Sequence, residues 1–236
     1  MTNHHVAITG SGIRCSSPDR VTITAMSREM IPEVGNIHRE AFAGYMNTRL
    51  GNSYLEAFLN WFLKADRALA LVALDDDVKV VGYVLGAPLD YGNAMNRDLF
   101  GIAAASVLMR PWLILSKRFW TIIAGRIKST LNSFSTHEPR FRYPEPAMSL
   151  VAIGVTSSAR GKKIGLSLLR AFEDKARERG IRSLQLTVYP TNAIARKLYE
   201  SCDWTAVHAM EKNWIEYFRI LADDGSHREL GSAAQS

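Results

Sequence analysis

Residues 149–204 read SLVAIGV, TSSARGKKIGLSLLRAFEDKARERG, IRSLQLTVYP and TNAIARKLYESCDW, and this succession sets the expected fold. An apolar run enters a basic loop that contains glycine, and the loop opens an amphipathic helix. Ile164, Leu168, Phe172 and Ala176 recur on one helical face, with Gly180 as the terminating C′ glycine. Glu173 and Arg177, four residues apart, are expected to pair on the exposed side. Leu184, Leu186 and Val188 then alternate as a half-buried strand that stops at Pro190. Asn192 is a suitable N-cap for a shorter helix whose core face is expected to carry Ile194, Leu198 and Cys202. Asn192, Ala195 and Tyr199 fall on an adjoining face that can look into a cleft.

The loop between strand and helix has anion-binding chemistry. Arg160, Lys162 and Lys163 surround Gly161, and Gly165 follows Ile164 at the helix start. The first turn of a helix presents N–H groups without intrahelical partners, and the helix dipole adds partial positive charge there. A diphosphate suits such a turn. A solvated basic helix cap is the plainer reading of the same residues. The loop has neither the Gly-Lys-Ser/Thr ending of a P-loop nor the G-x-G-x-x-G dinucleotide pattern.

Outward from this stretch, the chain reads as one α/β domain over 21–220 with tails at 1–20 and 221–236. Val21, Ile23 and Ala25 alternate with Thr22 and Thr24 as a first strand, and Ser27 is placed to cap the helix carrying Ile31, Val34, Ile37, His38 and Ala41. A second helix over 53–64 precedes a hairpin, RALALVAL and VKVVGYVLG, turned at Asp75-Asp76-Asp77. Residues 91–145 form a basic insertion, apolar from Leu99 to Ile123 but interrupted at Arg110-Pro111 and Lys117-Arg118. A membrane span needs about 20 nearly uninterrupted apolar residues, so two shorter helices are expected. They either cap a substrate cleft or lie on a membrane surface through 99–124. Two short strands around Glu211-Lys212-Asn213 close the domain.

At 236 residues, 47% hydrophobic, the chain can bury a substantial core, and its net charge of +6 favours anionic partners. The basic residues are scattered without aromatic interleaving, so no nucleic-acid partner is expected. Two cysteines, Cys15 and Cys202, make no disulfide framework, and MTNHHVAITGSG lacks the pattern of a signal peptide; a cytoplasmic protein is expected. Paired His or Cys spacing for a metal is missing from the sequence, so no metal is expected.

Joined in this order, the pieces resemble the GCN5-related N-acetyltransferase (GNAT) superfamily. Its loop pattern, Arg/Gln-x-x-Gly-x-Gly/Ala, is similar to Arg160-Gly161-Lys162-Lys163-Ile164-Gly165, and its Asn-x-x-Ala-x-x-x-Tyr pattern is similar to Asn192, Ala195 and Tyr199 with Trp204 as the aromatic ending. The resemblance implies a mixed central sheet of six to seven strands flanked by helices, with the helical insertion between strands three and four. It also implies acetyl-CoA as cosubstrate and an amine acceptor. The strand Leu150–Val155 would splay from Leu184–Val188, with the pantetheine arm between them against the backbone of Ile153, Gly154 and Val155. The backbone from Arg160 to Gly165 would hold the diphosphate, Asn192 would help fix the cofactor arm, and Tyr199 would protonate the leaving thiolate. Two positions depart from the pattern. Lys163 stands where glycine is preferred, which strains the loop if the backbone there needs positive φ. Ser149 stands where many relatives carry a glutamate base; Glu145 is the substitute, with Asp90 and His38 as weaker candidates. The basic insertion favours an acceptor bearing an acid or phosphate group. A non-catalytic acyl-CoA-binding module of the same fold, associated with a membrane surface, is the alternative that Ser149 supports.

Overall fold

A computed structural model describes residues 21–43, 45–109, 143–207 and 214–221. The expected tails (apart from Leu221), the bend at Arg110-Pro111, most of the basic insertion and the turn Glu211–Asn213 lie outside the described residues. In chain order the elements are β1 (Thr22–Ala25), α1 (Ile31–Ala41), α2 (Met46–Arg49), α3 (Asn52–Lys64), β2 (Leu69–Leu74), β3 (Val80–Pro88), α4 (Tyr91–Leu108), β4 (Ala147–Val155), α5 (Ile164–Glu178), β5 (Ser183–Val188), α6 (Ala193–Glu200), β6 (Thr205–Val207) and β7 (Ile215–Ile220). The seven strands form one sheet in the order β1-β2-β3-β4-β5-β7-β6. Only the β4–β5 pair is parallel, so the sheet is mixed, as expected.

Helices cover both faces. On one face α1, α3 and α4 bury Val34, Ile37, Leu55, Phe58, Leu59, Phe62 and Leu99 against Val72, Tyr83, Leu85 and Ala152. On the other, α5 and α6 bury Leu168, Leu169, Phe172, Leu198 and Tyr199 against Val84, Met148, Leu150, Leu184, Leu186 and Tyr217. Each large side chain buried in this way contributes roughly 1.5–3 kcal/mol. The 3.6-residue period of α5 therefore fixes its orientation on the sheet.

Four local expectations are corrected. Ser27 precedes a 3-10 turn at Arg28–Met30, where its carbonyl, not its side chain, accepts from Met30. The insertion's first helix begins at Tyr91, well before the apolar run. Glu173 is buried rather than exposed: it accepts from Trp204 Nε1 at 2.7 Å and pairs with Arg219 Nε at 3.3 Å, while Arg177 pairs with Asp174. Ile194 is 83% exposed, and the buried face of α6 is carried by Tyr199, with Cys202 just beyond the helix. The neighbouring aromatic rings of Trp204 and Tyr217 draw Tyr199 inward.

Candidate active site

Between β4 and β5 the sheet opens. Their parallel ladder covers Ala147↔Ser183, Met148↔Leu184 and Ser149↔Gln185 and then ends, although β4 continues to Val155 and β5 to Val188. The cause lies in β4. Against β3 the register runs Ala152↔Leu85 and then Leu150↔Gly86, which leaves Val151 as an extra residue. A bulge bends its strand and increases its twist. β5 meanwhile stays paired along its whole length with β7, from Ser183↔Ile220 to Val188↔Ile215. The two strands therefore part just beyond Ser149, and among the described residues no strand pairs with the β4 edge from Leu150 to Val155. Ile153, Gly154 and Val155 lie on this open edge, where the resemblance implies a splay between the two strands.

Gly154 is set by packing on the α1 face. A Cβ there would lie 2.8 Å from Tyr83 Cε1. The Tyr83 hydroxyl reaches His38 Nδ1 at 2.6 Å, and both residues are fully buried. Burial pulls the His38 pKa down to about 4, opposed in part by the Asn47 side chain. His38 is thus a neutral, core-facing imidazole beneath the open edge.

The basic turn follows β4 directly. A short 3-10 turn, Ser157–Ala159, leads to Arg160 in extended conformation, then Gly161 at φ 82°, exposed Lys162, and Lys163 at φ 60° and ψ 13° as the N-cap of α5. Two left-handed residues with one between them turn the chain sharply enough for buried Ile164 to start the helix. Glycine suits that backbone region and lysine does not. A Cβ on Gly165 would meet Leu198 and Val155 at 3.6 and 3.8 Å, so the first turn of α5 lies close against both α6 and the end of β4.

Glu40, at the end of α1, orders this turn and was missed from the sequence. Its Oε1 accepts from the Ser157 N–H at 3.0 Å and faces Arg160 Nη2 at 3.4 Å, while Arg160 Nε donates to the Val155 carbonyl at 3.3 Å. Nothing near Glu40 in the sequence signals a contact 117 positions away.

Asn192 is the N-cap of α6, its Oδ1 accepting from the Ala195 N–H at 3.2 Å. Tyr199 lies on the α5 side with its ring 5.7 Å from Trp204 and 5.8 Å from Tyr217. Burial raises its pKa above the ordinary tyrosine value, with a further contribution from Tyr45. Tyr45 belongs to the α1–α2 connection on the opposite face of the sheet. Tyr45 also stands 5.8 Å, ring to ring, from Tyr189, the residue after β5.

Glu145 is exposed and precedes β4. The zipped segment Ala147–Ser149 separates it from the gap, a path of roughly 16 Å to Leu150 at about 3.3 Å per residue. Asp90 lines a different pocket of about 870 Å³ between α3 and α4, with Trp61, Asp98 and Lys64. That pocket adjoins Pro88, which is opposite Met148 at the closed end of β4.

A family model described as the acetyltransferase (GNAT) family matches residues 115–204. No curated protein sequence matches the chain. Among solved structures, the fold is similar to an acetyltransferase of the GNAT family from Staphylococcus aureus Mu50, at 13% identity over 86% of this chain and 100% of that one, TM-score 0.54. It is also similar to Ard1 from Thermoplasma volcanium, at 15% identity over 86% and 99%, TM-score 0.53. The PaiA N-acetyltransferase from Thermoplasma acidophilum, solved in complex with coenzyme A, aligns at 12% identity over 85% and 99%, TM-score 0.51. The basic turn, α5, β5 and α6 thus fall within a match to the acetyltransferase (GNAT) family, and the chain has the GNAT fold.

Proposed function

We propose that the protein is an acetyl-CoA-dependent N-acetyltransferase that acts on a primary amine of a small molecule or peptide by direct attack. One observation carries this reading: the gap between β4 and β5 opens beside the basic turn that starts α5. The gap accepts an extended pantetheine arm in the manner of an added strand, with its amides against the backbone of Ile153, Gly154 and Val155. The diphosphate then lies on the N–H groups from Arg160 to Gly165, where the side chains of Arg160, Lys162 and Lys163 add charge. Asn192 helps to place the arm as the cap of α6, which adjoins the gap.

The acetyl group sits deep in the gap, near Val151, where the bulge redirects backbone N–H groups. Donors aimed at the thioester oxygen stabilise charge that develops during attack. Tyr199 is the general acid for the departing thiolate. Its raised pKa keeps the phenol protonated over the working range, so the proton is in place at each turnover. The neutral amine attacks the carbonyl carbon, the C–N bond forms, the C–S bond breaks, the sulfur takes the Tyr199 proton, and the surplus proton on nitrogen restores the phenol.

The test is a thiol-release assay with acetyl-CoA and a panel of primary amines, run beside calorimetric titration with coenzyme A. Coenzyme A binding together with acceptor-dependent thiol release is expected. Tyr199→Phe should lower kcat by about 10²-fold, within the usual range for general acids. Equal turnover by Tyr199→Phe at all pH values would remove Tyr199 from the reaction, and absence of coenzyme A binding would remove the reading as a whole.

A further inference from the structure

The α1 face of the gap has its own set of side chains, fixed by strand register. Cross-strand partners in an antiparallel pair point to the same face. Leu186↔Tyr217 and Leu184↔Arg219 point toward α5 and α6, because Tyr217 bonds to Glu200 of α6 and Arg219 pairs with Glu173 of α5. The intervening pairs, Gln185↔Phe218 and Thr187↔Glu216, therefore point to the α1 face, as does Ser149 beside Gln185. Tyr189, next in alternation after Val188, continues the same row and meets Tyr45 from the α1–α2 connection. Tyr45 and Tyr189 are 40% and 50% exposed, which makes them a solvent-facing aromatic wall at the mouth of the gap.

Glu216 stands at the floor of this arrangement. It lies one strand from the open edge, with Thr187 between, and neighbouring strands are about 4.8 Å apart. Tyr143, arriving just before β4, donates its hydroxyl to Glu216 Oε1, and its ring packs 5.9 Å from Phe218. That bond holds the carboxylate on the α1 face through Oε1. Tyr199 approaches the gap from the opposite face, so acid and carboxylate flank a group held between β4 and β5.

We infer that Glu216 receives the acceptor: it ion-pairs the incoming ammonium and takes its proton before attack, with Tyr45 and Tyr189 as the wall that orients the amine's carrier. This assignment rests on the acetyltransferase reading above. The proton leaves nitrogen for the Glu216 carboxylate, the freed lone pair forms the C–N bond, and the C–S bond breaks with protonation of sulfur by Tyr199. The nitrogen's second surplus proton then passes to the Tyr199 phenolate and Glu216 releases its own to solvent, so charge and protons balance. The favoured acceptor is a cationic primary amine on an aromatic or apolar carrier, because a carboxylate and tyrosine faces both attract ammonium. Glu216 supplies the carboxylate chemistry that Ser149 cannot, from a strand two places further along the sheet.

The experiment compares wild type, Glu216→Gln and Tyr143→Phe with acetyl-CoA and a panel of primary amines on aromatic, aliphatic and anionic carriers. Coenzyme A affinity is measured separately by calorimetry. Glu216→Gln should bind coenzyme A like wild type and lose about 10²-fold or more in kcat/KM for the amine. Tyr143→Phe should bind coenzyme A like wild type and raise KM for the amine more than it lowers kcat, because the carboxylate has lost the hydroxyl that holds it in place. A Glu216→Gln enzyme with kcat/KM close to wild type overturns the assignment and leaves the acetyltransferase reading standing. Preference for anionic carriers overturns the acceptor class. A chain that does not bind coenzyme A, or binds it and acetylates no amine in the panel, overturns both.

Discussion

Replacing Lys163 by glycine should make the protein more stable while weakening its hold on acetyl-CoA. Lys163 is at φ 60° and ψ 13°, and its carbonyl accepts the Ser167 N–H at 3.0 Å, so the left-handed geometry is locked into the start of α5. A side chain in that region costs roughly 1–2 kcal/mol. Glycine removes the penalty but raises the entropy of the unfolded chain, which offsets about 0.4–1 kcal/mol. The net gain is about 0.5–1 kcal/mol, or about 1–4 °C in Tm for a domain of this size. Removing one exposed cation near a diphosphate lowers affinity by about 0.2–1 kcal/mol, a factor of up to about five, less at high salt. Lys163→Ala separates the two effects, since it removes the charge and retains the strain. Thermal unfolding and coenzyme A titration at two salt concentrations measure both quantities. The reasoning fails if Lys163→Gly melts below Lys163→Ala, or if both bind coenzyme A as wild type does.

Gly154→Ala places a methyl group 2.8 Å from Tyr83 Cε1 and must displace that ring from His38; a loss of about 1–3 kcal/mol by urea unfolding is expected. His38, with its pKa lowered to about 4, stays neutral in the folded protein while its unfolded counterpart titrates near 6.5. Its stability contribution is complete above pH 6.5 and declines toward pH 4 by about 3 kcal/mol, a slope that His38→Gln should abolish. Glu173 acts in the opposite sense. Burial raises its pKa against the pull of Trp204 and Arg219, so its contribution is complete below the ordinary carboxyl range and falls as pH rises through the raised value. Unfolding midpoints of Glu173→Gln should show a flatter or more positive pH slope than wild type across the weakly acidic range.

Which features were legible in the sequence follows from how far apart their determinants lie. The α5 period, the Gly180 stop and the Asn192 cap are local, and each is present as expected. The left-handed strain at Lys163 was conditional on backbone geometry that only the folded turn supplies. The exposed Glu173–Arg177 pair failed because four-residue spacing reports only neighbours on the same helix, and Arg219 and Trp204 come from elsewhere. The four-residue spacing of Ile194, Leu198 and Cys202 suggests one core face, but α6 turns its tyrosine inward to meet two other aromatic rings and leaves Ile194 exposed. Glu40 and Glu216 carried no local signal at all. Glu40 meets Ser157 and Arg160 from 117 and 120 positions away, and Glu216 meets Tyr143 across 73, so only the folded sheet and helices bring them together.

The extra residue Val151 is equally silent in an apolar run, yet it underlies the opening of the sheet. It cannot be removed to close the gap. Deleting Val151 would shift the first half of β4 by one position against β3, and a one-residue slip sends every side chain to the opposite face. Met148 and Leu150, 0% and 5% exposed against the α5 side, would be driven toward the α1 face. Losing their burial forfeits about 3–6 kcal/mol at roughly 1.5–3 kcal/mol each, a large share of the 5–15 kcal/mol that holds a typical domain together. The deletion should therefore abolish cooperative unfolding rather than yield a sheet with β4 and β5 fully paired. Circular dichroism and urea titration would detect this, and a folded deletion variant that still binds coenzyme A would show that the bulge is not what opens the gap. The hydrophobic pattern of β4 thus protects the cleft: the residues that anchor the strand in the core also hold the register at which it leaves β5.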